Sequence, residues 1–277
     1  MRLTRIHFAR VSGGAALLNH LDLVLRRRAE ANPAVFQPMC VIGPNGSGKS
    51  QFLQTVAEFF QAALRAAVPH EERVEVDPRS AFTIQYVVQR DGGLPPLEVE
   101  LTGEARSASE RRILMRTREP ESDWSDAAPV DAEAASLLPT RIVAYTSGEN
   151  ETLSLPFLAS RIAYADEIRR RAIPASSGQE PTWAAGDPGT PRLMLIDYGT
   201  HLEVLVANLL LSPLDQRRYL LDLVGLEELR SVKCIVSLNH KAVKNSISHR
   251  PESKRKGVQL TDELESYIDI LKACATT

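Results

Sequence analysis

Between Gln51 and Leu64 the apolar residues fall at Phe52, Val56, Phe59, Phe60 and Ala63. That spacing marks one face of a helix. Elsewhere the pattern shortens to period two or to unbroken runs. Leu3 to Phe8 roughly alternates, with Leu3, Ile6 and Phe8 apolar, and reads as an edge strand. Leu17 to Leu25 is a second strand or a short helix, closed by Arg26-Arg27-Arg28. Met39-Cys40-Val41-Ile42 is a short apolar run and predicts a buried strand. Phe82 to Val88 is rich in β-branched and aromatic residues. Asp91-Gly92-Gly93 is a turn signal, and Leu97 to Thr102 alternates as a hairpin partner. Ser107 to Glu133 is polar and charged around Trp124 and reads as a surface excursion.

Order resumes with a strand at Arg141 to Tyr145 and a helix over Leu153 to Ala172, in which Pro156 must lie in the first turn. Pro174 to Pro191 is a loop by composition. Leu193 to Ile196 predicts a buried strand ending in Asp197, and Glu203 to Leu211 and Pro213 to Arg230 predict helices. Cys234 to Leu238 reads as a strand, Pro251 to Gly257 as a basic loop, and Thr261 to Ala273 as a C-terminal helix capped by Thr261. No internal repeat is visible. Strands separated by helices imply an α/β sandwich, and the early antiparallel strands imply an added β-subdomain. We read residues 1–277 as a single domain, with surface excursions near 103–135 and 174–191.

A chain of 277 residues, 43% hydrophobic and 25% charged, has the composition of an ordinary globular protein. Its net charge of −2 gives no global field for nucleic acid, and a local DNA-binding face is left open. Cys40, Cys234 and Cys274 are far apart and form no metal-ligand pattern. Cys40 and Cys234 lie in apolar runs and are expected to be buried thiols. The N-terminus lacks a signal-peptide layout, and the apolar stretch Val204 to Leu211 is too short to span a bilayer. The expectation is a cytoplasmic protein without a membrane partner.

Gly43-Pro44-Asn45-Gly46-Ser47-Gly48-Lys49-Ser50 fills every fixed position of the phosphate-binding loop G-x-x-x-x-G-K-[ST]. Glycines let backbone N–H groups turn inward, and the following helix adds partial positive charge at its N-terminus. In this pattern Lys49 reaches the β- and γ-phosphates of ATP and the Ser50 hydroxyl ligates Mg²⁺. Gly43, Asn45, Gly46, Ser47 and Gly48 complete the cradle.

The remaining candidates each have a plainer reading. Gln89, at the end of its strand, resembles the Q-loop glutamine of ABC-type ATPases, which implies an Mg²⁺ ligand that orients water, and Gln85 reads as a strand-face residue. Asp197 ends a strand where ligand groups tend to lie, and suits a water-mediated Mg²⁺ contact or a helix cap. His201 and His240 could polarise water or sense the γ-phosphate, or serve structure alone. Glu149 reads as the capping carboxylate of the Leu153 helix. The arginines at 26–28, and Lys254-Arg255-Lys256 with His249 and Arg250, read as solvated charge rather than phosphate contacts.

"RLTRIHF" followed by "MCVIGPNGSGKS" resembles the ATP-binding heads of SMC-like and ABC-like ATPases. "GPNGSGKS", "PTRIVAYTSGENETLSLPFL" and "RLMLIDYGTHLEVLVANLLL" together resemble the bacterial restriction system-associated AAA family ATPases, over nearly the whole chain. The resemblance implies an α/β P-loop NTPase of the ABC type, with ATP and Mg²⁺ as cofactors. It implies a second ATPase head, as a homodimer, and a restriction nuclease or helicase subunit as partners. It also implies a longer protein, so the chain reads as an N-terminal portion whose signature and Walker B Asp-Glu pair lie downstream.

A second alignment makes the module complete. Ser147-Gly148-Glu149-Asn150 then resembles an ABC signature and Leu195-Ile196-Asp197 a Walker B strand. Thr200-His201-Leu202 matches the T-H-L of overcoming-lysogenization-type nucleases, and Asn239-His240 a switch histidine, giving Asp197 and His240 catalytic roles. Tyr198 stands where the catalytic Glu should follow, and a tyrosine cannot act as a base near neutral pH. The alternatives are therefore a nucleotide-binding regulator without turnover, or a P-loop transferase such as a kinase.

Overall fold

The computed structural model describes residues 1–11, 13–27, 37–75, 77, 79–90, 92, 94–105, 111–146, 150–172, 189–223, 225–227, 266, 268–270, 272 and 273. The fold is mixed α/β, and the chain divides into two compact units. The first comprises residues 1–144, 150–164 and 189–195, and the second 145–149, 165–188 and 196–277.

The first unit is built on a six-stranded antiparallel sheet in the order β2-β1-β3-β4-β5-β6. Its strands are β1 (Arg2–Arg10), β2 (Leu21–Val24), β3 (Ala81–Val88), β4 (Leu97–Ala105), β5 (Arg111–Arg118) and β6 (Ala128–Pro129). Period-two alternation sorts the two faces. Ile6, Ile84, Leu101 and Met115 lie in register across four strands, and all four are buried. One residue earlier along β1, Arg5 aligns with Gln85, Glu100 and Arg116, a polar row on the opposite face. Gln85 Nε2 donates to Glu100 Oε2 at 2.6 Å and Arg116 Nε to Glu100 Oε1 at 2.6 Å. Arg118 Nε donates to Glu98 Oε2 at 2.6 Å. The Trp124 ring covers both guanidinium groups, 4.9 and 4.5 Å from its centroid.

Helix α1 (Lys49–Ala67) lies on the apolar face of this sheet. Its burial matches the periodicity: Phe52, Phe59, Phe60 and Ala63 are buried. Phe59 stacks on Phe82 with centroids 3.9 Å apart and meets Phe8 edge-on at 5.2 Å. Burying one phenylalanine is worth about 2 kcal/mol, so this aromatic seam is a large part of what holds the helix down. Gly103 makes room for it, because a Cβ there would sit 2.3 Å from the Phe82 ring. Tyr86 is buried below Phe60, and burial holds its phenol above the ordinary range. It therefore stays protonated, and its hydroxyl donates to Leu137 O at 3.1 Å.

Four expectations change here. The N-terminal strand is not an edge: β3 pairs along its other side, and β2 takes the edge. The excursion read over Ser107 to Glu133 contains β5 and β6, which extend the sheet. Its charge hid the strand: Ile113 and Met115 face the core, while Arg116 and Arg118 further along pair with carboxylates on β4. Met39 to Ile42 is irregular rather than a strand, and Ile42 is 91% exposed. A strand needs a partner, and this run pairs with none of the six strands of the sheet beneath α1. Cys40 is exposed with it, not buried.

Helix α2 runs over Glu151–Ala172, so Pro156 lies inside it rather than in its first turn. Strands β7 (Ile142–Tyr145) and β8 (Leu193–Ile196) form a separate pair. Ile142 N donates to Arg192 O at 2.8 Å and Thr146 N to Ile196 O at 3.0 Å. Both partners advance by four residues, as in parallel pairing. Helices α3 (Tyr198–Leu211) and α4 (Leu214–Leu223) follow; α3 begins before the expected Glu203, and α4 stops short of the expected Arg230, with Gly225 to Glu227 outside any helix. The strand at Cys234 to Leu238 and the basic loop lie outside the described residues, as do most residues of the C-terminal helix.

Within the first unit, Glu72 is fully buried just after α1. Its Oε1 accepts from Gln61 Nε2 at 3.4 Å and from the backbone of Arg73 and Val74 at 3.0 Å each. Its Oε2 accepts from Ser160 Oγ on α2 at 2.6 Å, and Gln61 Nε2 also donates to Pro156 O at 3.1 Å. One side chain thus ties the end of α1 to α2. Glu72→Ala would strand these donors in the interior and is expected to cost about 3 kcal/mol. Urea denaturation checks this, and a loss below about 1 kcal/mol, the scale of a neutral surface change, would contradict the role.

Candidate functional site

The phosphate-loop residues run from an exposed arm into α1. Gly46 and Gly48 adopt φ of +80° and +85°, which non-glycine residues avoid. At Gly48 a Cβ would also come within 3.1 Å of Leu17 Cδ2. Gly48 is the N-cap of α1, and no side chain caps that end. The first intrahelical bond is Phe52 N to Gly48 O at 2.8 Å, leaving the earlier amides beyond the helical ladder.

Lys49 folds back over the loop. Its Nζ donates to Gly43 O and to Pro44 O, both at 2.8 Å. An ammonium carries three donors, so one remains for an anion. Ser47 N donates to Pro44 O at 3.3 Å and closes the turn, and Asn45 is exposed at its tip. Ser50, one residue into the helix, accepts at Oγ from Asn150 Nδ2 at 3.3 Å. Asn150 was not expected as a partner of Ser50. Its sequence signal was present, since an Asn three residues before Leu153 is a helix-cap pattern. The structure confirms the cap: Asn150 Oδ1 accepts from Leu153 N at 3.1 Å. The cap role expected of Glu149 therefore falls to Asn150, because α2 starts at Glu151. Ser147, Gly148 and Glu149 themselves lie outside the described residues.

The arrangement suits a phosphorylated ligand. Uncapped amides, a helix N-terminus, an ammonium group and glycines at positive φ are the parts of an anion cradle. Ser50 Oγ is a hard oxygen donor suited to Mg²⁺, which takes few protein ligands when it travels with phosphates. Among the described residues no three His, Cys, Asp or Glu side chains form a metal-sized cluster.

The other candidates make contacts of their own. Gln85 is on the sheet face, as expected, and Gln89 is exposed with its Nε2 donating to Arg90 O at 3.3 Å. In the second unit Asp197 is the N-cap of α3. Its Oδ1 accepts from Thr200 N and Thr200 Oγ1, both at 2.8 Å, while Asp197 N donates back to Thr200 Oγ1 at 2.8 Å. That reciprocal capping box makes α3 start at Tyr198, five residues before the apolar pattern suggested. Also in that unit, the Tyr145 hydroxyl and His201 Nδ1 share a hydrogen bond of 3.3 Å, both side chains exposed. His240 and the Lys254 cluster lie outside the described residues. Among the described residues no helix is long and apolar enough to cross a membrane.

The capping geometry makes a prediction for Asp197. Asp197→Ala should lower stability by about 1 kcal/mol, and Asp197→Asn should recover most of it. Thermal denaturation of the two variants measures the difference, and equal stabilities would remove the cap role. Compared with known proteins, the chain matches no family model, no curated protein and no solved structure.

Proposed function

We propose that the chain is an ATP-binding head of the ABC and SMC-like kind, a P-loop NTPase with an antiparallel β-subdomain, that takes Mg²⁺ with its nucleotide. The observation that carries the reading is the loop itself. A glycine leaves the N-terminus of α1 without a side-chain cap, and Lys49 lies across the adjoining carbonyls with one donor to spare. A side-chain cap would occupy the amides that a phosphate needs, so a glycine there favours an external anion. The sheet under α1 supports the reading by fixing the helix that carries Lys49 and Ser50.

Bound Mg²⁺ would supply charge neutralisation between the β- and γ-phosphates. Ser50 Oγ would hold it, Lys49 Nζ would turn its remaining donor to the phosphates, and the loop amides would wrap them. The association with a bacterial restriction or anti-phage system, and the partners it brings, rest on the resemblance of "GPNGSGKS", "PTRIVAYTSGENETLSLPFL" and "RLMLIDYGTHLEVLVANLLL". They are a second head and a nuclease or helicase subunit, in the cytoplasm. DNA contact is part of that proposal only through the partner.

One observation favours the reading of a nucleotide-binding regulator without turnover. Asp197 spends Oδ1 on the α3 cap, and Tyr198 follows it in place of a glutamate. Asp197 is then committed to the helix start, and a tyrosine cannot act as a base for water near neutral pH.

Two outcomes test these readings. Lys49→Ala should abolish ATP binding in a calorimetric titration while the melting curve stays close to wild type. Retained affinity in the variant would remove the loop from the site. Steady-state phosphate release from the purified chain should be far below the roughly one per second or more of typical enzymes. A rate in that range that disappears with Lys49→Ala would overturn the regulator reading and make Asp197, His201 and His240 the residues to mutate.

A further inference from the structure

Ser50 and Asn150 are a hundred residues apart in sequence and meet in the first unit, and no motif in the chain couples them. The geometry points to Asn150 as a positioning residue that sets the Ser50 hydroxyl for Mg²⁺ and ties its occupancy to the start of α2. The inference rests on the nucleotide-binding reading above.

Asn150 carries three connections at one helix end. Its Oδ1 accepts from Leu153 N at 3.1 Å, its backbone O accepts from Ser154 N at 3.0 Å and from Ser154 Oγ at 2.7 Å, and its Nδ2 donates to Ser50 Oγ. The orientation of the amide is chemically fixed. A backbone N–H only donates, so the atom facing Leu153 N must be the oxygen, and the NH₂ must face Ser50. The planar amide thus converts a helix cap into a fixed donor aimed at the loop. Ser50 Oγ receives that proton on one lone pair. Its other lone pair stays available to a cation, and its own O–H must point elsewhere. A hydroxyl held this way does not have to be ordered when Mg²⁺ and nucleotide arrive, so part of the binding cost is already met.

Coupling is reciprocal. If Asn150 improves Mg²⁺ ligation by Ser50, occupancy at Ser50 must in turn firm the Asn150 side chain and with it the first turn of α2. That turn is the element that would report nucleotide to the rest of the chain.

The test separates capping from donation. Asn150→Ser keeps a good helix cap with too short a side chain to reach Ser50, and Asn150→Asp keeps the cap and presents no donor. ATP affinity is measured by titration in excess Mg²⁺ and again in EDTA. In both variants the Mg²⁺-dependent gain in affinity should fall about 5- to 10-fold, the worth of one net hydrogen bond, with affinity in EDTA unchanged within about twofold. Ser50→Ala should show the same loss, and adding Asn150→Ser to it should cost nothing more. Amide exchange at Leu153 and Ser154 should slow on addition of Mg²⁺ and ATP in wild type, and not in Asn150→Ser. If both variants keep the wild-type Mg²⁺ gain, or lose affinity equally with and without Mg²⁺, the proposal fails while the nucleotide reading stands. If wild type binds no ATP, or Lys49→Ala binds it as well as wild type, both fail together.

Discussion

Helix α1 has to satisfy two demands at its two ends, and the rest of the first unit follows from them. Its apolar stripe must leave water, and it does so on the sheet face built from Ile6, Phe8, Phe82, Ile84, Val99 and Leu101. Its first turn must stay open, because glycine, not a capping side chain, precedes it. The energies make these demands compatible. An aromatic seam with several buried phenylalanines is worth several kcal/mol, whereas glycine in place of a good cap loses only a few tenths. Burial can therefore hold the helix while its N-terminus is kept for another purpose.

The far end of the same helix shows the opposite treatment. Glu72, Gln61 and Ser160 are buried polar groups, and the donors among them all find acceptors. Such a cluster is costly to leave half satisfied and stiff when complete. It joins α1 to α2, and Asn150, which caps the start of α2, touches Ser50. The outer face of the sheet follows a similar rule, since Glu98 and Glu100 are buried only where Arg118 and Arg116 meet them. The helix start at Tyr198 makes the comparison within one chain. There an Asp–Thr box closes the amides, and the side chain that could have served a ligand is committed to the backbone.

Much of this was legible before any coordinates. The spacing of Phe52, Phe59, Phe60 and Ala63 gave α1, β-branched residues gave β3, and alternation gave its hairpin partner β4, because each signal is local. Three things were not. Strand β5 carries arginines that pair with buried carboxylates on a different strand, so composition alone reads it as surface. Met39 to Ile42 has a strand's composition, but strand formation needs a partner, and pairing is a property of the whole sheet. Asn150 carried a cap signal, yet its second function depends on a contact across a hundred residues, which no window on the sequence spans.

On the proposed reading, the loop would meet a nucleotide already engaged with itself. Lys49 is bound to Gly43 and Pro44 carbonyls and Ser50 to Asn150. None of these bonds needs to break for a phosphate to be held, because the ammonium has a third donor and the hydroxyl a second lone pair. The self-contacts instead restrict side chains that would otherwise lose rotamer freedom on binding, on the order of 1–2 kcal/mol for a lysine. A loop ordered in this way gains more from a ligand that uses both Lys49 and Ser50 than from one that touches a single group. On that reading, a preference for a polyphosphate carrying its own cation would follow from the spacing of two adjacent residues on one helical turn.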